Sequence, residues 1–141
     1  MRPFEELGIE QRSSVTREMI ERVEERLGCQ FPDAYKKLVL YAQEPVPEVS
    51  VFTYEGGESC VSEFLQFTDD ESETFGILNH KPTAMGLPGN TIPIARDAGD
   101  FLICLTLTGG RDSVVLFDPN EKVLVQIADS FEEFMDSLSE G

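Results

Sequence analysis

The period of apolar and polar positions changes twice along the chain. From Thr16 to Leu27 apolar residues recur at helical spacing with glutamates between them, and Gly28 follows as a left-handed stop. From about Val49 the period becomes two, which is typical of half-buried strands. A helical period returns at Ser130, after the last strand-like run. This order predicts an α+β domain with an N-terminal helical hairpin, a central mainly antiparallel sheet and a C-terminal helix.

The two helices of the hairpin have clear boundaries. Thr16 suits the N-cap of the first, and Pro32 can open the second, which the next prolines end. The inner face of the first helix is apolar at Ile20, Val23 and Leu27. The apolar stripe of the second consists of Tyr35, Leu38, Val39 and Ala42. Residues 1–14 have no clear period, so we expect a loosely attached leader on one domain that spans residues 1–141.

The rest of the chain predicts a strand hairpin, an unassigned segment, four strands and a helix. Gly56-Gly57 is the expected turn of the hairpin. Residues 74–89 indicate no element, although Phe75, Ile77 and Leu78 are expected to be buried. The four later strands are predicted at Ile92–Ala95, Phe101–Leu107, Ser113–Phe117 and Val123–Ile127, and their short links favour an antiparallel meander. In the last helix, Ser130 and Glu133 form a capping box.

The stretch from Ile92 to Leu107 is expected to lie at the centre of the sheet. Its second run is apolar at every position, which favours a strand that is covered on both faces. Arg96, Asp97 and Asp100 precede this run and could line a ligand groove. We favour a structural interpretation, in which Arg96 pairs with Asp97 or another carboxylate and Gly99 supplies a positive φ.

The charge distribution has two interpretations: either the acidity only keeps the protein soluble, or it attracts a cationic partner. The formal net charge is -16, and the chain has no Lys or Arg between Leu38 and His80. Such a field repels nucleic acid and anionic membranes and attracts cationic proteins. The candidate partner-binding residues are four carboxylates in one loop and two in the neighbouring turn: Asp69, Asp70, Glu71, Glu73, Glu55 and Glu58. The alternative for each of them is an ordinary solvated carboxylate.

No motif predicts catalysis, a metal or a cofactor. The best catalytic candidates are His80 with Cys60 or Cys104, and the carboxylates of the acidic loop, but neither set pairs a nucleophile with an oriented base. The loop also lacks the spacing that wraps calcium. Three widely spaced cysteines indicate reduced thiols, and we find neither a signal peptide nor an apolar run of membrane length. These features predict a cytoplasmic protein without cofactor or metal.

Three segments resemble the SUKH superfamily of SMI/KNR-like domains. They are TREMIERVEERLGCQFPDAYKKL (residues 16–38), IPIARDAGDFLICL (residues 92–105) and ADSFEEFMDSL (residues 128–138). Their order and spacing cover nearly the whole chain, which makes the three together more specific than any one of them. The superfamily includes fungal cell-wall regulators and many bacterial immunity proteins.

The resemblance implies a small binding protein without catalytic activity. The typical bacterial role is to neutralise a cognate toxin, often a nuclease, of a contact-dependent or polymorphic toxin system. An acidic immunity protein would suit the basic cleft of such a nuclease. The alternative is a housekeeping regulatory or adaptor protein without a toxin partner. The sequence leaves the oligomeric state open.

Overall fold

Helices lie at both ends of the chain and a six-stranded antiparallel sheet lies between them, as the sequence pattern predicts. This is a computed structural model, and it describes all residues, 1–141. The helices are α1 (Arg17–Leu27), α2 (Asp33–Tyr41), α3 (Pro82–Met85) and α4 (Phe131–Ser137). The strands are β1 (Val51–Tyr54), β2 (Gly57–Phe64), β3 (Thr91–Asp97), β4 (Leu102–Thr108), β5 (Arg111–Asp118) and β6 (Val123–Ala128). Each strand pairs with the next one along the chain, which confirms the meander.

Helices α1 and α4 have the capping residues that the sequence predicts. The Thr16 hydroxyl accepts a hydrogen bond from the Met19 amide at 3.2 Å, and Gly28 has a φ of 68° at the end of α1. At α4 the Ser130 hydroxyl accepts from the Glu133 amide at 3.1 Å, which is one half of the predicted capping box. These caps satisfy amides that the helix backbone leaves free.

The sheet is covered on both faces, so the prediction for its centre is confirmed. On one face, β4 contributes Ile103 and Leu105 to a core of 27 buried residues that also includes side chains of α1, α2 and α4. On the other face, Leu102 and Cys104 join a smaller buried cluster under Leu87. Successive strand residues point to opposite faces, which explains why β4 is apolar at every buried position.

Aromatic side chains join the helices to the sheet. Tyr35 of α2 packs edge-on against Phe131 of α4 at 5.5 Å between ring centroids. Phe134 of α4 packs against Phe52 of β1, also at 5.5 Å. The apolar stripe of α2 is buried as predicted, whereas Leu27 of α1 is only partly buried. Burial of these rings holds α4 over the sheet.

Residues 74–90, which the pattern left unassigned, form short turns: Ile77 and Leu78 join the main core, and Leu87 covers the second face of the sheet. A 3-10 turn at Ile77–Asn79 precedes the single helical turn of α3, and Leu87 then packs on the sheet. Ile77 and Leu78 are buried as expected, but Phe75 is 58% exposed, so that part of the prediction is wrong. Glycines and prolines keep each element too short to show a period.

The first fourteen residues lie against the domain, in contrast to the loose attachment that we expected. Leu7 and Ile9 are buried, and the Leu7 carbonyl accepts hydrogen bonds from the amides of Glu48 and Val49 at 2.8 and 3.1 Å. Gly8 has a φ of 72°, and a Cβ there would lie 2.6 Å from the Glu48 side chain. Isolated apolar residues around a glycine turn have no period that a sequence pattern could reveal.

Leu7→Ala should lower the free energy of unfolding by about 2 to 5 kcal/mol, because Leu7 has no exposed surface and joins the main core. Urea denaturation would measure the change, with the exposed Glu5→Ala as the control. An unchanged midpoint for Leu7→Ala would instead support a loosely attached leader.

Candidate functional site

The six carboxylates predicted to bind a partner fall into two separate groups. Four of them belong to the acidic loop, residues 69–73, which follows the C-terminal end of β2. Glu55 and Glu58 lie in the β1–β2 turn, at the opposite end of β2. The six residue-to-residue steps of strand from Glu58 to Phe64 correspond to about 20 Å. The structure therefore does not bring the two groups together, although the sequence suggested that they were neighbours.

Two arginines of α1 hold the start of the acidic loop. The Arg22 Nε donates to the Asp69 carboxylate at 2.6 Å, and the Arg26 Nη1 donates to the Asp69 carbonyl at 2.7 Å. The hydrogen bond from Arg22 lowers the pKa of Asp69 below its ordinary value. Asp69 is therefore an internal partner of α1 and is poorly placed to meet a second protein.

The remaining carboxylates of the loop differ in how freely they face solvent. Asp70 accepts hydrogen bonds from the amide and the hydroxyl of Ser72 at 2.9 and 2.6 Å, and the hydroxyl bond lowers its pKa. Glu71 lies 3.4 Å from the Lys81 ammonium, while the exposed Glu73 makes no ion pair. The Asn79 amide donates to the carbonyls of Glu71 and Glu73 and fixes the backbone. The loop is thus an ordered turn with exposed acidic side chains.

Arg22→Gln should raise the pKa of Asp69 towards its ordinary value, because the hydrogen bond that stabilises the carboxylate is lost. The depressed pKa means that the stabilising contribution of Asp69 is present above the unfolded-state pKa. It disappears as the pH falls through the lower folded-state pKa. An NMR titration of the Asp69 carboxyl carbon would measure the shift, with Arg17→Gln as the control. An unaltered Asp69 titration in Arg22→Gln would contradict this pairing.

Asp97 stabilises the β3–β4 turn from inside the protein. It is 4% exposed and accepts hydrogen bonds from the Ser59 hydroxyl and from the amides of Gly99 and Phe101, at 2.8 to 2.9 Å. The residue with positive φ is Asp100, at 64°, so our assignment to Gly99 is wrong. Aspartate tolerates this conformation because its short side chain can bond locally. The favoured structural interpretation of the turn agrees with these contacts.

Arg96 pairs with Glu63 of the adjacent strand β2 and not with Asp97. Both residues lie on the same sheet face, since they are direct partners in the β2–β3 register. The Arg96 guanidinium also lies over the ring of Phe75, 5.5 Å from its centroid. The sequence analysis did not predict an exposed Phe75 beside Arg96, because an apolar residue is expected to be buried. Its position after the acidic loop was the available signal.

The catalytic candidates do not form a reactive set. The Nδ1 of His80 lies 2.9 Å from the Gly76 carbonyl oxygen. Cys104 is completely buried, and desolvation raises the pKa of its thiol to about 12. No group of three or more His, Cys, Asp or Glu side chains is arranged to hold a metal ion.

Most of the acidic side chains have no cationic partner. Six of the 27 acidic residues take part in the ion pairs of the structure. One groove, of about 620 Å³, is also acidic, with Glu10, Glu44 and Glu48 beside Arg12. No helix has both the length and the apolar character needed to cross a membrane. The uncompensated charge thus extends well beyond the acidic loop.

Comparison with known proteins identifies the family. No curated protein gives a significant match to the sequence. The model of the SMI1 / KNR4 family (SUKH-1) matches residues 14–137, from just before α1 to the last residue of α4. This match covers nearly all of the chain and includes the three segments that carry the resemblance, apart from the last residue of the third, Leu138. The chain therefore belongs to the SMI1 / KNR4 family (SUKH-1).

Proposed function

We propose that the protein is a cytoplasmic immunity protein that neutralises a cognate toxin, without catalytic activity of its own. The observation that carries the proposal is the uncompensated negative charge around an ordered acidic loop. Family membership supports a role in protein binding. Three cysteines without disulfides are compatible with a reducing compartment.

The cognate toxin in this proposal is a nuclease. An enzyme that grips phosphate groups exposes Lys and Arg around its cleft, and an acidic protein is steered to such a surface at long range. The exposed Asp70, Glu71 and Glu73 supply the charge, and Asn79 fixes the backbone that carries two of them. An ordered loop loses little conformational entropy on binding, which favours affinity.

The test uses the product of a toxin gene beside the gene for this protein. The double variant Glu71→Lys with Glu73→Lys should associate with that toxin about tenfold or more slowly. The association rate should also depend less on salt concentration. We leave Asp69 and Asp70 unchanged, because their carboxylates accept short hydrogen bonds from Arg22 and Ser72, whereas Glu71 has only an exposed ion pair with Lys81. Stopped-flow association and protection of toxin-expressing cells are the measurements.

The matched control is Glu18→Lys with Glu25→Lys on the exposed side of α1, which changes net charge equally. A third pair, Glu55→Lys with Glu58→Lys, tests the β1–β2 turn separately. If the loop pair and the α1 pair behave alike, the acidic loop is not the interface. If no adjacent toxin binds the wild-type protein, the alternative of a regulatory or adaptor protein is favoured.

A further inference from the structure

Phe75 is an aromatic side chain held in an exposed position. It is 58% exposed, although most phenylalanines of the chain are buried. Its carbonyl accepts a hydrogen bond from the Gln66 amide at 3.0 Å, and the next residue, Gly76, forms a β-bridge with Gln66. The backbone at Phe75 is therefore fixed, and its exposure does not result from a loose loop end.

One face of the Phe75 ring is already occupied within the protein. The Arg96 guanidinium lies 5.5 Å from the ring centroid, and Glu63 pairs with that guanidinium. We call these three residues the Phe75 platform. Because Glu63 balances the charge of Arg96, the platform does not repel a second cation by net charge. The remaining exposed ring surface is electron-rich and can accept a cation.

The charges around the platform indicate that its partner is cationic. The acidic loop ends at Glu73, two residues before Phe75, and both side chains are exposed. A second copy of this chain would bring another net charge of -16 and would be repelled. Arginine matches the site better than lysine, because its planar guanidinium stacks on aromatic rings and is more weakly hydrated.

We propose that the Phe75 platform anchors the cationic partner by accepting an arginine side chain, whose guanidinium stacks on the exposed ring face. This inference rests on the proposed function and assigns the central contact of that interface. The aromatic ring supplies the apolar anchor, and the acidic loop forms the charged rim. This arrangement, with one large side chain inside a polar rim, is typical of residues that dominate binding energy.

The test exploits the absence of tryptophan from the chain. Phe75→Trp introduces a single fluorescent reporter on the platform and preserves its aromatic face. Hexa-arginine is the probe, at about physiological ionic strength, and hexa-lysine tests whether the guanidinium is preferred. Val46→Trp is the matched control, since Val46 is also 58% exposed and lies beside Glu44 and Glu48 in an acidic groove.

We expect a saturable emission change for Phe75→Trp with hexa-arginine, at a half-saturating concentration about threefold or more below that of hexa-lysine. Val46→Trp should show no saturable change over the same range. Equal responses of the two reporters, or no response of Phe75→Trp, would overturn the proposed platform. This arm needs no toxin, so its outcome is independent of the proposed function.

A second arm uses the toxin encoded by the adjacent gene. Phe75→Ala and Phe75→Leu should each weaken binding about tenfold or more, whereas Val46→Ala should leave it unchanged. If Phe75→Leu binds like the wild-type protein, the contact is apolar and the assignment of arginine is wrong. If the toxin binds every variant equally, the platform fails while the proposed function stands. If it does not bind the wild-type protein, the proposed function fails and the peptide arm decides the platform.

Discussion

Phe134→Ala should lower the free energy of unfolding by about 3 to 5 kcal/mol. Phe134 has no exposed surface, and its ring packs against Phe52 on the sheet. Truncation removes the buried ring and leaves a cavity that the neighbouring side chains fill only in part. Since small domains are stabilised by about 5 to 15 kcal/mol in total, this loss is a large fraction of their stability. Urea denaturation followed by circular dichroism would measure it.

Phe75→Ala provides the comparison, because it removes the same side chain from an exposed position. It loses the contact with Arg96 but creates no cavity, so the expected cost is about 1 kcal/mol or less. The loss of unfolding free energy for Phe134→Leu should lie between those of Phe134→Ala and Phe75→Ala, since leucine keeps part of the buried volume. Equal stability of Phe134→Ala and Phe75→Ala would contradict the packing of α4 on the sheet.

Asp97→Ala should lower the free energy of unfolding by about 3 kcal/mol. It deprives the Gly99 and Phe101 amides and the Ser59 hydroxyl of their common acceptor inside the protein. Hydrogen bonds to a charged group contribute more than neutral ones, and a buried donor without a partner adds its desolvation cost. Thermal unfolding is the measurement, with amide exchange at Gly99 and Phe101 as the local reporter.

Asp97→Asn separates the role of the acceptor from that of the charge. The amide oxygen can still accept from the two backbone amides, so we expect a smaller loss than for alanine. A neutral effect of Asp97→Ala on both stability and amide exchange would reject the structural role. The interpretation of Arg96, Asp97 and Asp100 as part of a ligand groove would then regain support.

The fold was largely predictable because its signals are local. The caps at Thr16 and Ser130, the stop at Gly28 and the alternation of period each depend on residues within one or two turns. The all-apolar run of β4 predicted a strand covered on both faces. Residues 1–14 and 74–90 were not predictable, because their apolar residues are isolated and contact distant parts of the chain.

The acidic character of the candidate site was visible in the sequence, but its organisation was not. Asp69 accepts a hydrogen bond from Arg22, 47 positions away, and Arg96 donates one to Glu63, 33 positions away. A local pattern contains no information about such pairs, so it could not separate a carboxylate with an internal partner from a free one. The length of β2 likewise places Glu58 far from the acidic loop.

The sequence by itself determined the order and type of the main elements, the family resemblance and the acidic net charge. These follow from periodicity, caps and net charge, which are properties of neighbouring residues or of the whole composition. Tertiary structure alone decided that Phe75 is exposed over Arg96, that Asp97 is buried in a turn and that Leu7 joins the core. Those outcomes depend on contacts between residues remote in sequence, which form only when the sheet and helices pack together.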